Sequence, residues 1–373
     1  MPTSYAMNKE HLHIGHFKCF EEKTLEINNL TVFVGVNGAG KSSAIQSLLL
    51  LRSSIDAEPG DDIGLDGIFG MDLGTSGSIV NQTSGDNTIT LSVYNDIGAT
   101  LSFSYTADSE EDRLALTVAD RDKSKLTDIS LAGDEFHYLN AERHGPRITQ
   151  HLACMRYPDV GVRGECTAQV LAQDGGRTKV TPDRMYPDST NPNLESQANA
   201  WLAAIMPGVR VVPRMDMSTL SAQVLVANVY TYINPALATN SGFGISYVLP
   251  VIVGALTARN GSMLIVENPE AHLHPAAQSA IGMFLARMAH SGLRIVVETH
   301  SDHVINGIQR FVAANPEWHQ AVTINHFSID EENHNPKVVP IHFDDMANYT
   351  EWPDGFMDQN QRDFIELCKV RGK

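Results

Sequence analysis

Eight consecutive residues, Gly35-Val36-Asn37-Gly38-Ala39-Gly40-Lys41-Ser42, match the pattern GxxxxGK[ST] in full. This is chemistry for holding phosphate. Glycines at 35, 38 and 40 permit backbone angles that turn successive N–H groups inward, and a helix starting just afterwards adds the positive end of its dipole. Asn37, Ala39 and Ser43 complete the stretch expected to wrap a nucleotide. Lys41 would reach the β- and γ-phosphates, and the Ser42 hydroxyl would offer an oxygen to Mg²⁺.

Such a loop needs an acidic partner for the metal at the end of another strand. The apolar run Met263 to Val266 ends in Glu267, followed by Asn268-Pro269-Glu270-Ala271-His272-Leu273-His274-Pro275. A further apolar run, Arg294 to Val297, ends in Glu298-Thr299-His300-Ser301. A histidine just beyond a strand edge can hydrogen-bond a γ-phosphate and sense its loss, and His300 is the candidate for that task.

The elements that must position these groups follow from periodicity. His11 to Phe17 and Lys23 to Ile27 alternate as strands do, and Leu30 to Val34 reads as a buried strand feeding the glycine turn and a helix over Ser42 to Arg52. Thr88 to Tyr94 and Thr100 to Thr106 predict a hairpin. Ile129 to Asn234 carries mixed signals around a helix over Leu194 to Ile205. Beyond it strands and helices alternate: helices over Ser246 to Leu256, Ala276 to Ala289 and Ser301 to Ala313, with strands at 263–266 and 294–297. Alternation of this kind implies a mostly parallel sheet covered by helices. No internal repeat appears, and no heptad run long enough for coiled-coil arms.

Composition narrows the class. The chain has 373 residues, enough for one large domain or two, and a formal net charge of −17 that disfavours non-specific nucleic-acid binding by the surface as a whole. No apolar run approaches the roughly 18–20 residues of a membrane span. The four cysteines (Cys19, Cys154, Cys166 and Cys368) lie far apart with no CxxC pair, which suggests reduced thiols, and the N-terminus does not read as a secretory signal. The cytoplasm is the expected compartment.

These motifs resemble the ATP-binding-cassette (ABC) head shared by structural-maintenance-of-chromosomes (SMC) proteins and overcoming-lysogenization-defect ATPases, within the AAA group. LHIGHFKCFEEKTLEINNLTVFVGVNGAGKSS looks like the opening of that class, LIVENPEAHLHP its Walker B segment and VETHSDH its histidine switch. More narrowly, ENPEAHLHP, GFGISYVLP and WPDGFMDQ look like a small bacterial family of ATPases, many of whose relatives sit in anti-phage defence operons. The resemblance covers residues 11–52 and 240–360 well, and the middle only through YLNAERHGPR and VGVRGECTAQVL. It implies an α/β P-loop fold with a mixed central sheet and an antiparallel β-rich N-terminal part, ATP and Mg²⁺ as ligands, and Ser42 with Glu267 at the metal. It implies one head over 1–373: an N-terminal lobe at 11–106, a middle region at 107–234, the signature, Walker B and switch region at 235–330, and a C-terminal extension at 331–373. The signature would be Asn240-Ser241-Gly242-Phe243-Gly244-Ile245-Ser246, a departure from LSGGQ. In such heads this helix start meets the γ-phosphate held by a second subunit, so Asn240, Ser241, Gly242 and Gly244 would act in trans in a head-to-tail homodimer or higher oligomer.

A second departure concerns turnover. The usual Asp-Glu pair is Glu267-Asn268 here, and an amide can orient water but cannot take its proton. Hydrolysis should lose a factor of roughly 10²–10⁴ unless Glu270 substitutes as base. The expectation is tight ATP binding and slow turnover, a switch that regulates or recruits an effector such as a nuclease or toxin encoded nearby. The alternative is a nuclease or DNA-repair head acting directly on DNA. Only about 45 residues follow Phe327, with Asp344 and Asp345 the acidic pair of interest, which is short for a metal-dependent nuclease domain. Among other constellations, His272, His274, Asp302 and His303 fall within the motifs already read. Arg143 suits either a nucleotide phosphate or a surface carboxylate, and Gln82 is a candidate metal-contacting glutamine.

Overall fold

Phosphate-binding loop and acidic segments meet along one edge of a central six-stranded sheet. Its strands run in the order Pro336–Ile341, Val322–Ile329, Leu30–Gly35, Arg294–Glu298, Met263–Glu267 and Phe136–Leu139. All neighbours are parallel except the Pro336–Ile341 edge strand, so the sheet is mixed, as the resemblance implies. The computed structural model describes residues 9–371 other than 84, 86, 108–112, 231, 331, 333 and 334.

Both faces of this sheet are covered, which is why its strands read as unbroken apolar runs. Side chains alternate between two cores. Leu264, Val266, Ile295, Val297 and Val32 join a core with Ile281, Phe284, Val304 and Ile308 of the helices Pro275–His290 and Asp302–Ala314. Met263, Ile265, Val296 and Phe33 face the opposite way, toward the helix Lys41–Ser53 and an antiparallel sheet. That second sheet orders its strands Phe20–Ile27, Glu10–Phe17, Thr88–Asn95, Thr100–Thr106, Ala115–Ser124 and Asp62–Gly64. Each fully buried Leu, Ile or Phe in these layers contributes about 1.5–3 kcal/mol.

The helices Pro275–His290 and Asp302–Ala314 cross at backbone contact. A Cβ on Gly282 would lie 2.1 Å from the Val304 carbonyl oxygen, and one on Gly307 2.0 Å from that of Ser279. This crossing fixes the spacing of the two helix starts, and with it the loops carrying Glu267 to His274 and Glu298 to Ser301.

The middle of the chain belongs to the same packing. Phe136–Leu139 extends the central sheet beside Met263–Glu267, and the helices Thr167–Asp174 and Leu194–Ile205 bury Val170, Leu171, Leu194, Trp201 and Leu202 in the helix-side core. A small sheet of Val209–Asp216, Ser221–Asn228 and Tyr232–Leu237, with Gln150–His151 alongside, completes this side. The helix expected from Ser246 starts earlier, at Phe243, and runs to Thr257 with Pro250 inside. Among the described residues no helix is long and apolar enough to cross a membrane, and the longest, Pro275–His290, has 16 residues.

Candidate nucleotide site

The Leu30–Gly35 strand delivers the chain into a loop whose glycines have distinct duties. Gly35 has φ 135°, and a Cβ there would lie 1.9 Å from the Phe327 carbonyl oxygen, the atom that accepts the Val36 N–H. Gly40 has φ 102° and caps the helix Lys41–Ser53, with the Phe20 ring and Cys19 sulfur closing over its Cα. Gly38, at φ 79°, has no atom within 4 Å of its would-be Cβ, so its backbone faces open space. The Lys41 ammonium bridges the Gly35 and Val36 carbonyls at 2.9 Å each. Burial pushes its pKa down, an effect the Glu298 carboxylate opposes.

One open cleft collects the groups read from the sequence. Its walls include Asn37, Gly38, Gly40, Lys41, Ser42 and Ser43 from the loop, Glu267 and Asn268 from the neighbouring acidic segment, and His300. Gly35 and Ala39 lie behind this wall and shape it through the backbone. Glu267 accepts a hydrogen bond from the Tyr138 hydroxyl at 2.8 Å; burial raises its pKa, while that bond and nearby Arg143 pull it back. Asn268 has φ 45°, a left-handed conformation that Asn tolerates better than most residues. Its Oδ1 is buried with no hydrogen-bond partner among the described residues. Glu270 stands outside the cleft lining, and its Oε1 accepts the backbone N–H of His300 at 2.9 Å. Burial, with Lys41 nearby, lowers the pKa of His300. The oxygen donors of Ser42 and Glu267, which line the same cleft, are the kind a hard divalent cation such as Mg²⁺ selects. The open arc at Gly38 and the helix start beside it fit an anionic chain of phosphates.

Two AAA-domain family models match the chain. One, described as "AAA domain", covers residues 11–130, and the other, described as "AAA domain, putative AbiEii toxin, Type IV TA system", covers residues 170–306. Among solved structures the chain is similar to an Smc head bound to the C-winged helix domain of ScpA, with a TM-score of 0.53 and 12% identity over 90% of this chain and 97% of that one. It is also similar to an Smc head domain with an extended coiled coil bound to the C-terminal domain of ScpA derived from Pyrococcus furiosus, with a TM-score of 0.56 and 10% identity over 98% of this chain and all of that one. A comparison with curated proteins finds no match. The fold is that of an SMC-like ABC-type ATPase head.

Within this fold the remaining sequence candidates fall in varied places. Asn240 and Gly242 are exposed at the start of the helix Phe243–Thr257, and Ser241 is half-buried; none lines the phosphate cleft of its own chain. Gly244 is buried within the first turn of that helix, where a Cβ would lie 2.8 Å from the His272 carbonyl oxygen, so it serves close packing against the segment after Glu267. Arg143 neither faces the cleft nor pairs with a surface carboxylate. It is 3% exposed and donates to the carbonyls of Asn140, Glu267 and Asn268, with its guanidinium over the Tyr247 ring. Gln82 is exposed, does not line the cleft, and donates to the Gly77 and Val80 carbonyls. His272 packs on Phe243 and Tyr247, while His274 caps the helix Pro275–His290. Asp344 holds a local turn by accepting from the backbone N–H groups of Met346 and Asn348.

Sequence reading missed four lining residues: Lys18, Cys19, Ala141 and Glu298. Lys18 and Cys19 form the tight turn of the Glu10–Phe17/Phe20–Ile27 hairpin, and Lys18 donates to Gln46 of the loop's helix at 2.6 Å. Glu298 ends the strand between the Leu30–Gly35 and Met263–Glu267 strands, a place set by sheet order and register and not by any spacing in the sequence.

Proposed function

We propose that this chain is an ATP-dependent molecular switch of the ABC-head type. ATP would lie on the glycine loop, with Lys41 on its β- and γ-phosphates and Ser42 and Glu267 holding Mg²⁺. That cation, when bound, neutralises negative charge on the phosphates and weakens the terminal bond. Asn268 would orient the attacking water and His300 would read the γ-phosphate. The observation that supports this most is the convergence of loop, Glu267, Asn268 and His300 on one cleft from separate parts of the chain.

The exposed helix start at Asn240 to Gly242 supports a sandwich of two ATP molecules between two head-to-tail copies. Its first backbone N–H groups have no side-chain cap, so they are suited to an anion supplied from outside the chain. Closure on ATP and opening after hydrolysis is then the bistable element, and a protein effector such as a nuclease or toxin is what it regulates, in a setting such as anti-phage defence in the cytoplasm. Both solved relatives carry a bound protein domain, which agrees with an effector that docks on the head.

The test is a size measurement by light scattering, with and without ATP and Mg²⁺, on wild type and Lys41→Ala. The expected outcome is a dimer that appears with nucleotide in the wild type and is missing in the variant. A wild type whose mass does not respond to nucleotide would remove the sandwich from this reading.

A further inference from the structure

Glu298 stands where an apolar residue would otherwise complete a buried strand. Ile295, Val296 and Val297 before it are wholly buried, and Glu298 itself is 5% exposed at the strand's end. Register places it directly beside Glu267 in the parallel pair, Met263–Glu267 against Arg294–Glu298. Its carboxylate is within hydrogen-bonding reach of the Ser42 hydroxyl and lines the same cleft wall as Lys41. Lys41 offsets its charge only in part, since the ammonium makes its hydrogen bonds to the Gly35 and Val36 carbonyls and none to Glu298. Two carboxylates on adjacent strand ends repel each other, and burying an uncompensated charge is costly. A fold retains such a pair most readily where a cation joins it.

We infer that Glu298 is a second carboxylate of the divalent-cation site, acting beside Ser42 and Glu267 to position the metal at the triphosphate. The assignment rests on the nucleotide-switch reading. It also makes a specific demand. With two carboxylates next to the phosphates, ATP without a divalent cation meets strong repulsion, so affinity depends steeply on Mg²⁺. A proton acceptor for the attacking water, the other task open to a carboxylate here, would repel metal-free ATP as well, but its neutralisation would leave the affinity for Mg²⁺ in the complex unchanged.

The experiment is equilibrium binding of a fluorescent ATP analogue to the full chain, once in EDTA and once across a Mg²⁺ titration. Wild type, Glu298→Gln, Glu267→Gln and Lys41→Ala are compared. Gln keeps an oxygen acceptor for Ser42 and removes the charge. Glu298→Gln is expected to bind the analogue more tightly in EDTA and to lose about tenfold or more of the enhancement by Mg²⁺, in parallel with Glu267→Gln. Glu298→Asp, which keeps the charge and withdraws it from the metal, is expected to retain weak binding in EDTA while needing more Mg²⁺; this variant carries the test if the Gln protein does not fold. Unchanged affinities for Glu298→Gln in both arms, alongside a shifted Glu267→Gln, would overturn the assignment. Failure of the parent reading looks different: wild type and Lys41→Ala would bind the analogue equally, or neither would bind.

Discussion

Arg143 holds the Walker B turn by its backbone: Nη1 donates to the Glu267 carbonyl and Nη2 to the Asn268 carbonyl, each at 2.6 Å. The planar fork of a guanidinium holds two successive carbonyls in one fixed geometry, which the point charge and rotating donors of an ammonium do not impose. Burial pushes the Arg143 pKa down to about 10, still leaving it charged at neutral pH. Arg143→Ala is therefore expected to cost about 3–5 kcal/mol, since it removes charge-assisted bonds and strands buried carbonyls. Arg143→Lys should recover only part of this loss. Chemical denaturation of both variants checks the order, and a Lys variant as stable as wild type would count against the clamp.

Glycines of the phosphate loop should separate into structural and ligand-facing classes. Gly35→Ala would drive a methyl group into the Phe327 carbonyl, at 1.9 Å, and is expected to prevent stable folding. Gly38→Ala meets no atom, so its cost is the left-handed backbone alone, about 1 kcal/mol. That variant should fold but bind ATP more weakly, because the methyl group projects into the space offered to phosphate. Circular dichroism with a nucleotide titration distinguishes the two.

How much of this was legible in the chain depended on whether a residue announces its own surroundings. Leu30 to Gly35 and Met263 to Glu267 did so, since an apolar run closed by glycines or a carboxylate has few other readings. The Val209–Asn228 hairpin did not. Pro213 sits within its first strand, and the turn includes Leu220 at φ 47° where a glycine or asparagine would have marked it. Phe136–Leu139 has only 4 residues, too few to show alternation. Arg143 lies in a polar stretch that reads as surface, and its burial comes from distant Tyr247 and the Walker B turn packing over it. Glu298 belonged to a recognised motif, but a lone carboxylate has no spacing to reveal that register would set it beside Glu267.

Glu298 should also make stability depend on pH when nucleotide and divalent cation are absent. Burial and the neighbouring Glu267 carboxylate push its pKa from the ordinary 4.5 to about 7. Between those values the unfolded chain has released this proton while the folded chain still holds it, so stability falls as pH rises through the window and levels off above it. Glu298→Gln removes the penalty. The variant is expected to match wild type near pH 4.5 and to exceed it by up to about 3 kcal/mol above pH 7, at roughly 1.4 kcal/mol per pKa unit. Melting temperatures in EDTA across this range provide the check. A gap that is largest at acid pH would mean the carboxyl is ionised in the fold throughout.

The proposal of slow turnover stands or falls with Asn268. Its side chain sits next to Glu267 on the cleft wall, with Oδ1 unpaired among the described residues, while the Asn268 backbone N–H donates to the Glu298 carbonyl at 2.8 Å. A carboxylate there could take a proton from water, which an amide cannot, and a positioned base contributes roughly 10²–10⁴-fold. Asn268→Glu is thus expected to raise the ATPase rate, after a stability cost of about 1–2 kcal/mol for a longer side chain at φ 45°. Asn268→Asp tolerates that backbone better and separates the two effects, since it adds the charge with little strain. Single-turnover measurements at saturating ATP isolate the chemical step from product release and from the proposed opening of the dimer. If neither carboxylate variant hydrolyses faster than wild type while both bind ATP normally, slow turnover does not come from the amide. The limit would then lie in His300, in the missing trans contact, or in the opening of the clamp.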